Sequence, residues 1–341
     1  MSNRTILRMS PIVFTLILAA STSWAGPPRS TEPDPRLSDG RATEELAADR
    51  QAADEQEPGL TIDQLSGCSA TILGVYETAG RSSETQGWMG TAFVVGVLGD
   101  SLVMVTNRHC LGIDDLVAGG GRSGGLSEYG LLIEFQSGKM APVSYCGFFR
   151  GVDLAVLVVP AAGLAEGDDY TIVPVYEGDD LGVGDEVAAS GSPADDYTYY
   201  QGTVTFGRIS AFRDLDGIPV IQLDAALNHG NSGGPLMVER DGLYYCIGVN
   251  TWGTSDETIE GIGFAIDLSR TGEVTDLNDM VLYTADIQGF RSALADAVTG
   301  PAAGRGTRVG GDEGATGGQG HRVGDPGSAG GSTGGVGHRV R

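Results

Sequence analysis

One lysine, Lys139, and four histidines are all that this 341-residue chain holds of those two residue types, and 45 acidic residues against 21 lysines and arginines leave a net charge of −24. A surface so short of positive charge repels a phosphate backbone, which excludes nucleic acid as a partner. Cysteine is equally scarce: Cys68, Cys110, Cys146 and Cys246 stand far apart, without the paired spacing of a zinc site. The glycine-rich run from Gly119 to Gly125 lacks the lysine and the strand–helix context of a phosphate loop, and the turn around Asp216 and Gly217 lacks the acidic spacing of a calcium loop. No metal or cofactor is expected. Long apolar runs are missing too, apart from one at the amino terminus, so no stable membrane insertion is expected once that segment is removed.

What is present falls into four stretches. Arg4 and Arg8 precede the apolar run Pro11 to Ala20, and Ser23-Trp24-Ala25 supplies small residues around a cut after Ala25. This is the pattern of a signal peptide over residues 1–25, with the mature chain exported to the periplasm or secreted. Residues 26–60 are rich in Pro, Ala, Asp and Glu and read as an acidic linker or pro-segment that buries too little to order itself. Residues 61–299 carry the apolar material for a core. Residues 300–341 are Gly-rich and low in complexity, and read as a disordered tail.

Within 61–299 the periodicity is that of short strands separated by Gly, Asp and Asn turns. CSATILGVY reads as a strand and GTAFVVGVLGDSLVMVT as a hairpin turning at Gly99-Asp100. LLIEF, APVSYCGFF and DLAVLVV bring the first set to about six strands, enough for a small closed barrel. TIVPVY, DEVAASG, YYQGTVTFGRIS, IPVIQLD, PLMVE, YYCIGVNTW and GIGFAIDL form a second set. Ile287, Phe290, Leu294 and Val298 then recur at helical spacing and predict a C-terminal helix packed on the barrels.

The chemistry centres on DAALNHGNSGGPL, Asp224 to Leu236. A serine hydroxyl is a weak nucleophile unless a base takes its proton and donors receive the oxyanion it creates. Gly230, Gly233 and Gly234 around Ser232 allow a tight turn in which backbone N–H groups converge. Taken alone, this is also compatible with an ordinary Gly-rich turn. His109, at the end of the apolar strand SLVMVTNRHC, supplies a base, and Asp153, at the head of the strand DLAVLVV, supplies a carboxylate to orient it. Asp114 and Asp115 are the rivals of Asp153, although two aspartates after a glycine read as a loop.

TNRHC, VDLAVLVV and GNSGGP, in the order His, Asp, Ser, resemble the trypsin/chymotrypsin-like serine endopeptidases. The HtrA/Deg branch is the nearest likeness, through DAALNHGNSGGPL, SGSPADDYTYYQGTVTFGRIS and IGVNT…GIGFAI, over roughly Cys68 to Leu268. The resemblance implies an all-β fold, a double six-stranded β-barrel with a C-terminal helix, and a cleft between the barrels holding His109, Asp153 and Ser232. It implies an oxyanion hole from the N–H groups of Gly230 and Ser232. It also implies a substrate pocket lined by Ala226 to His229, with Asn228, on one side and by Val249, Asn250 and Thr251 on the other. His229 reads equally as a substrate contact or as a solvent-facing loop residue. An uncharged Ala226 points to small or aliphatic residues at the cleavage site. Asn231 stands where digestive enzymes have an aspartate, so activation by N-terminal clipping is not implied. The tail leaves no room for the PDZ domain that many HtrA/Deg proteins carry, which puts their mode of regulation and their trimer in doubt.

The expected activity is hydrolysis of peptide bonds in protein or peptide substrates. The competing readings are a catalytically silent barrel that binds peptides or scaffolds partners, and an enzyme held latent until an activator arrives. For the cysteines, export permits disulfides: four residues allow three connectivities, the favoured pairing being Cys110–Cys146 and Cys68–Cys246, with free buried thiols as the alternative.

Overall fold

A computed structural model of the chain describes residues 59–78, 84–114, 126–194, 198–253, 261–273, 275 and 279–299. The expected signal peptide and Gly-rich tail, residues 26–58 of the expected acidic linker, Asp115 and the Gly119–Gly125 run lie outside the described residues. The linker's last residue, Leu60, does not belong to it, being buried and bridged to Tyr244 of the second barrel.

Among the described residues, fourteen strands and one α-helix build two packed units. Strands β1 (Ala70–Thr78), β2 (Glu84–Leu98), β3 (Ser101–Thr106), β4 (Leu126–Glu134), β5 (Met140–Pro142), β6 (Tyr145–Phe149) and β7 (Ala155–Pro160) come first. Strands β8 (Glu186–Gly191), β9 (Thr203–Leu215), β10 (Ile218–Leu223), β11 (Pro235–Arg240), β12 (Leu243–Gly253) and β13 (Gly263–Asp267) follow, then β14 (Met280–Thr284) and helix α1 (Ile287–Thr299). The second set closes into a six-stranded barrel, ordered β10-β13-β12-β11-β8-β9. The first set curls into an open barrel rather than a closed six-stranded one. It is a curled sheet of eight, ordered β14-β6-β7-β3-β2-β1-β4-β5, whose last member returns from beyond the second barrel to pair antiparallel with β6. The expected strand TIVPVY is not one: Pro174 has no N–H to donate, and although Val173 is buried in the core, the segment pairs with the strands through isolated bridges alone, Val94 to Ile172 and Val175 to Cys246.

The turns follow their sequences. Gly99 (φ 59°) closes the β2–β3 hairpin at Gly99-Asp100. Asp216 (φ 55°) and Gly217 (φ 84°) both take positive φ between the paired Leu215 and Ile218, as a two-residue hairpin requires.

Alternation along β2, β3 and β7 explains how the two units join. Ala92, Val94, Leu102, Met104, Leu157 and Val159 point into the first core. Their neighbours Phe93, Val95, Val103, Val105 and Val156 point the other way and pack with Val220, Met237, Val249 and Ile266 of the second barrel. A strand buried on both faces reads as an unbroken apolar run, which VMV and AFVV are. Side chains such as Phe93, fully buried here, each contribute roughly 1.5–3 kcal/mol of hydrophobic stabilisation. Helix α1 caps the first core: Phe290, Ala293 and Leu294 are buried in it, and the Phe290 ring stacks on Tyr129 with centroids 3.7 Å apart.

The favoured disulfides do not form; all four cysteines are free and buried. Three of the thiols turn to backbone carbonyls instead, Cys68 to Leu65 at 3.0 Å, Cys246 to Gly248 at 3.4 Å and Cys110 to Ser232 at 3.5 Å, while Cys146 meets the Tyr283 side chain. Each behaves as a small core side chain with a weak donor. Burial pushes the Cys68 and Cys146 thiols up to about 12, and that of Cys246 higher still.

Candidate active site

The first barrel supplies a histidine and a carboxylate. β3 ends at Thr106, and the chain turns at once into a single 3-10 turn, His109–Leu111, stopped by Gly112 at φ 75°. Three contacts hold that turn in place. The Trp88 indole N–H donates to the Cys110 carbonyl at 2.9 Å, the Tyr129 hydroxyl donates to the Leu111 carbonyl at 3.1 Å, and the buried Asn107 amide donates to the Asp153 carbonyl at 2.9 Å.

Asp153 sits just before β7 and faces this turn. Its Oδ1 accepts the backbone N–H of His109 at 3.0 Å, and its Oδ2 lies 2.8 Å from His109 Nδ1. Because an ionised carboxylate only accepts, the proton of this contact belongs on Nδ1, which leaves Nε2 as the acceptor of a neutral ring. Burial works against charge on both groups, but the mutual attraction prevails: His109 titrates well above the usual histidine range and Asp153 below the usual carboxylate range. Asp114, the rival carboxylate, is bound to Arg108 at 3.1 Å.

The second barrel supplies the serine and a threonine. Gly230 (φ 93°) and Gly233 (φ 87°) occupy backbone conformations that favour glycine, and a Cβ on Gly233 would stand 2.1 Å from the Thr91 carbonyl. Ser232 lies between them, its carbonyl accepting the Thr91 N–H at 2.8 Å across the barrel boundary. Its hydroxyl donates to the Thr251 carbonyl at 2.7 Å. Thr251 sits where the β12–β13 register slips between Asn250 and Trp252, and its own hydroxyl donates to Asp153 Oδ2 at 2.9 Å. One threonine thus touches both the serine and the aspartate.

The N–H groups of Gly230 and Ser232 donate to no other group among the described residues. The His229 carbonyl accepts from Ala194 N–H at 2.8 Å, and a trans peptide then aims the Gly230 N–H the opposite way.

The expected pocket residues divide. Ala226, Asn228 and His229 are exposed on the loop before Ser232. Val249 is packed in the core between the barrels, and the buried Asn250 amide is committed to the carbonyls of Ser190 and Pro235, so both side chains serve the barrel rather than a pocket. Thr251 is buried and occupied with Ser232 and Asp153. Leu227, within the expected Ala226–His229 wall, is half-buried and packs beside Gly263, whose added Cβ would meet Leu227 Cδ1 at 2.8 Å. Thr91 was missed, and its only signal was a hydroxyl inside an apolar strand. Among the described residues no three His, Cys, Asp or Glu side chains gather as metal ligands, and no helix is long and apolar enough to cross a membrane.

The chain is similar in sequence to known proteins. Residues 90–249 match the trypsin-like peptidase domain family. The serine endoprotease DegS of Escherichia coli strain K12 is 29% identical over 197 residues, 53% of this chain and 48% of that protein. The serine protease Do-like HtrA of Bacillus subtilis strain 168 is 30% identical over 214 residues, 60% of this chain and 42% of that protein. The chain therefore spans about half the length of the curated relatives it matches. Among solved structures, the crystal structure of Deg5 aligns at a TM-score of 0.43 and 27% identity, over 62% of this chain and 88% of that one. Residues 90–249 are thus similar to the trypsin-like peptidase domain, and the chain shares sequence similarity with HtrA-type serine proteases over roughly half its length.

Proposed function

We propose that the protein is an exported serine endopeptidase acting on protein or peptide substrates. The observation that carries this reading is the shared site of His109, Asp153, Thr251 and Ser232, drawn from two barrels and joined by hydrogen bonds of 2.7 to 2.9 Å. Ser232 Oγ attacks the peptide carbonyl and gives its proton to His109 Nε2, while Asp153 holds the ring and stabilises the imidazolium. The undirected N–H groups of Gly230 and Ser232 receive the oxyanion, each worth about 3 kcal/mol to the transition state. The imidazolium protonates the leaving amine, and water then releases the acyl group. An exposed, uncharged Ala226 and the neighbouring Leu227 favour small or aliphatic residues before the cut.

A second reading, a latent enzyme, is favoured by one observation: the Ser232 hydroxyl is turned to the Thr251 carbonyl. β-Casein hydrolysis and fluorophosphonate labelling of the chain lacking residues 1–25, beside Ser232→Ala, test both. Cleavage and labelling lost only in the variant support the peptidase. Labelling that needs an added peptide supports latency. A wild-type chain that neither cuts nor labels under any condition leaves a peptide-binding barrel.

A further inference from the structure

The nucleophile loop is not held by its own barrel alone. Thr91, on β2 of the first barrel and fully buried, uses every polar group it has on that loop and its surroundings. Its N–H donates to the Ser232 carbonyl at 2.8 Å. Its hydroxyl donates to the Gly230 carbonyl at 2.6 Å and accepts the Ser192 N–H at 3.0 Å. Its carbonyl accepts the Thr106 hydroxyl at 2.7 Å. A threonine hydroxyl has one proton to give, and here it is given to Gly230.

The orientation of that carbonyl matters. If Gly230 N–H and Ser232 N–H are to receive an oxyanion, the carbonyls of His229 and Gly230 must stay turned away from it. Ala194 N–H holds the first, and the Thr91 hydroxyl holds the second. Gly230, at φ 93° and without a side chain, offers little resistance of its own to rotation of its flanking peptides. The loop is also pressed against Ser192, whose carbonyl would lie 2.2 Å from a Cβ on Gly230, and Ser192 is itself tied to Thr91 and, through its hydroxyl, to Thr71 at 2.7 Å.

We infer that Thr91 is a positioning residue for the oxyanion hole, a hydroxyl lent by the first barrel that keeps the Gly230 carbonyl turned away and the Gly230–Ser232 donors aimed at substrate. The inference rests on the peptidase reading and adds to it a residue outside the His-Asp-Ser set.

Thr91→Val keeps the shape and removes the hydroxyl; Thr91→Ser keeps the hydroxyl. With a chromogenic peptide substrate, Thr91→Val lowers kcat about 100-fold, the effect of losing an oxyanion donor, and changes KM less than about threefold. Thr91→Ser returns kcat to within about threefold of wild type, and affinity for a peptide aldehyde falls in parallel with kcat. A folded Thr91→Val with kcat within about threefold of wild type overturns the inference, as does equal impairment of the valine and serine variants. Should the valine variant fail to fold, Thr91→Cys, similar in size and a weak donor, carries the same comparison. An inert wild type overturns the peptidase reading and this inference together; an active wild type with an unaffected valine variant overturns the inference alone.

Discussion

Ser232 and Thr251 are joined by a hydrogen bond of 2.7 Å in which the serine hydroxyl donates to the threonine's backbone carbonyl. The same threonine donates its side-chain hydroxyl to Asp153. Thr251 is therefore in contact with both ends of the proposed relay.

Removing only its hydroxyl tests what that contact does. Thr251→Val leaves the carbonyl for Ser232 but takes one donor from Asp153, and a hydrogen bond to a charged group is worth about 1.5–3 kcal/mol. A fall in kcat of roughly ten- to a hundredfold follows, with the fold intact by circular dichroism. An unchanged kcat would mean that the His109 contacts alone suffice to hold the carboxylate.

The pH dependence follows from the pairing of His109 with Asp153. A general base must be neutral, so the rate rises as pH climbs through the His109 pKa. Asp153 stabilises the imidazolium and raises that pKa, placing the acid limb of kcat/KM above the ordinary histidine value of about 6.5. Asp153→Asn removes the stabilising charge, so the limb of the residual activity moves to lower pH while kcat falls about 10⁴-fold. A limb that stays in place would assign the titration to another group.

Thiol counting separates free cysteines from the disulfides that an exported chain permits. Native protein exposes no reactive thiol to a disulfide reagent, because all four cysteines are buried. In denaturant without reductant, four groups react. Two or none reacting would show bridges formed in the cell of origin.

Phe290 tests the role of the C-terminal helix. Its ring is fully buried against Tyr129, and Tyr129 in turn holds the Leu111 carbonyl of the His109 turn. Phe290→Ala costs about 3–5 kcal/mol of stability, read as a lower urea midpoint. Under conditions where the variant is folded, its activity falls further than that of an equally destabilised variant in the second barrel, because the loss loosens the base.

Much of this was legible in the residues, for identifiable reasons. Apolar runs such as SLVMVT and DLAVLVV mark strands because both of their faces are buried, one against each core. The TNRHC and VDL motifs meet because β3 and β7 are paired neighbours, with Thr106 opposite Ala155. β14 was not read, since MVLYT is short and its partner β6 lies more than a hundred residues upstream. Thr91 was not read either, because a hydrogen-bonding role set by strands from two barrels leaves no local periodicity. The cysteine pairing failed on direction rather than neighbourhood: Cys68 and Cys246 share one core cluster and Cys110 and Cys146 another, but their thiols are free.

The return of β14 to β6 sets an order on biogenesis. As the chain emerges, β6 has its β7 partner but an open outer edge until residue 284 arrives, after the whole second barrel has been made. An open edge is a template for pairing with another molecule. The nascent first barrel thus spends the synthesis of more than a hundred further residues needing shelter at that edge, and β14 and helix α1 act as its seal. Truncation before Met280 would remove no residue of the proposed active site, yet would leave that edge open for the life of the molecule.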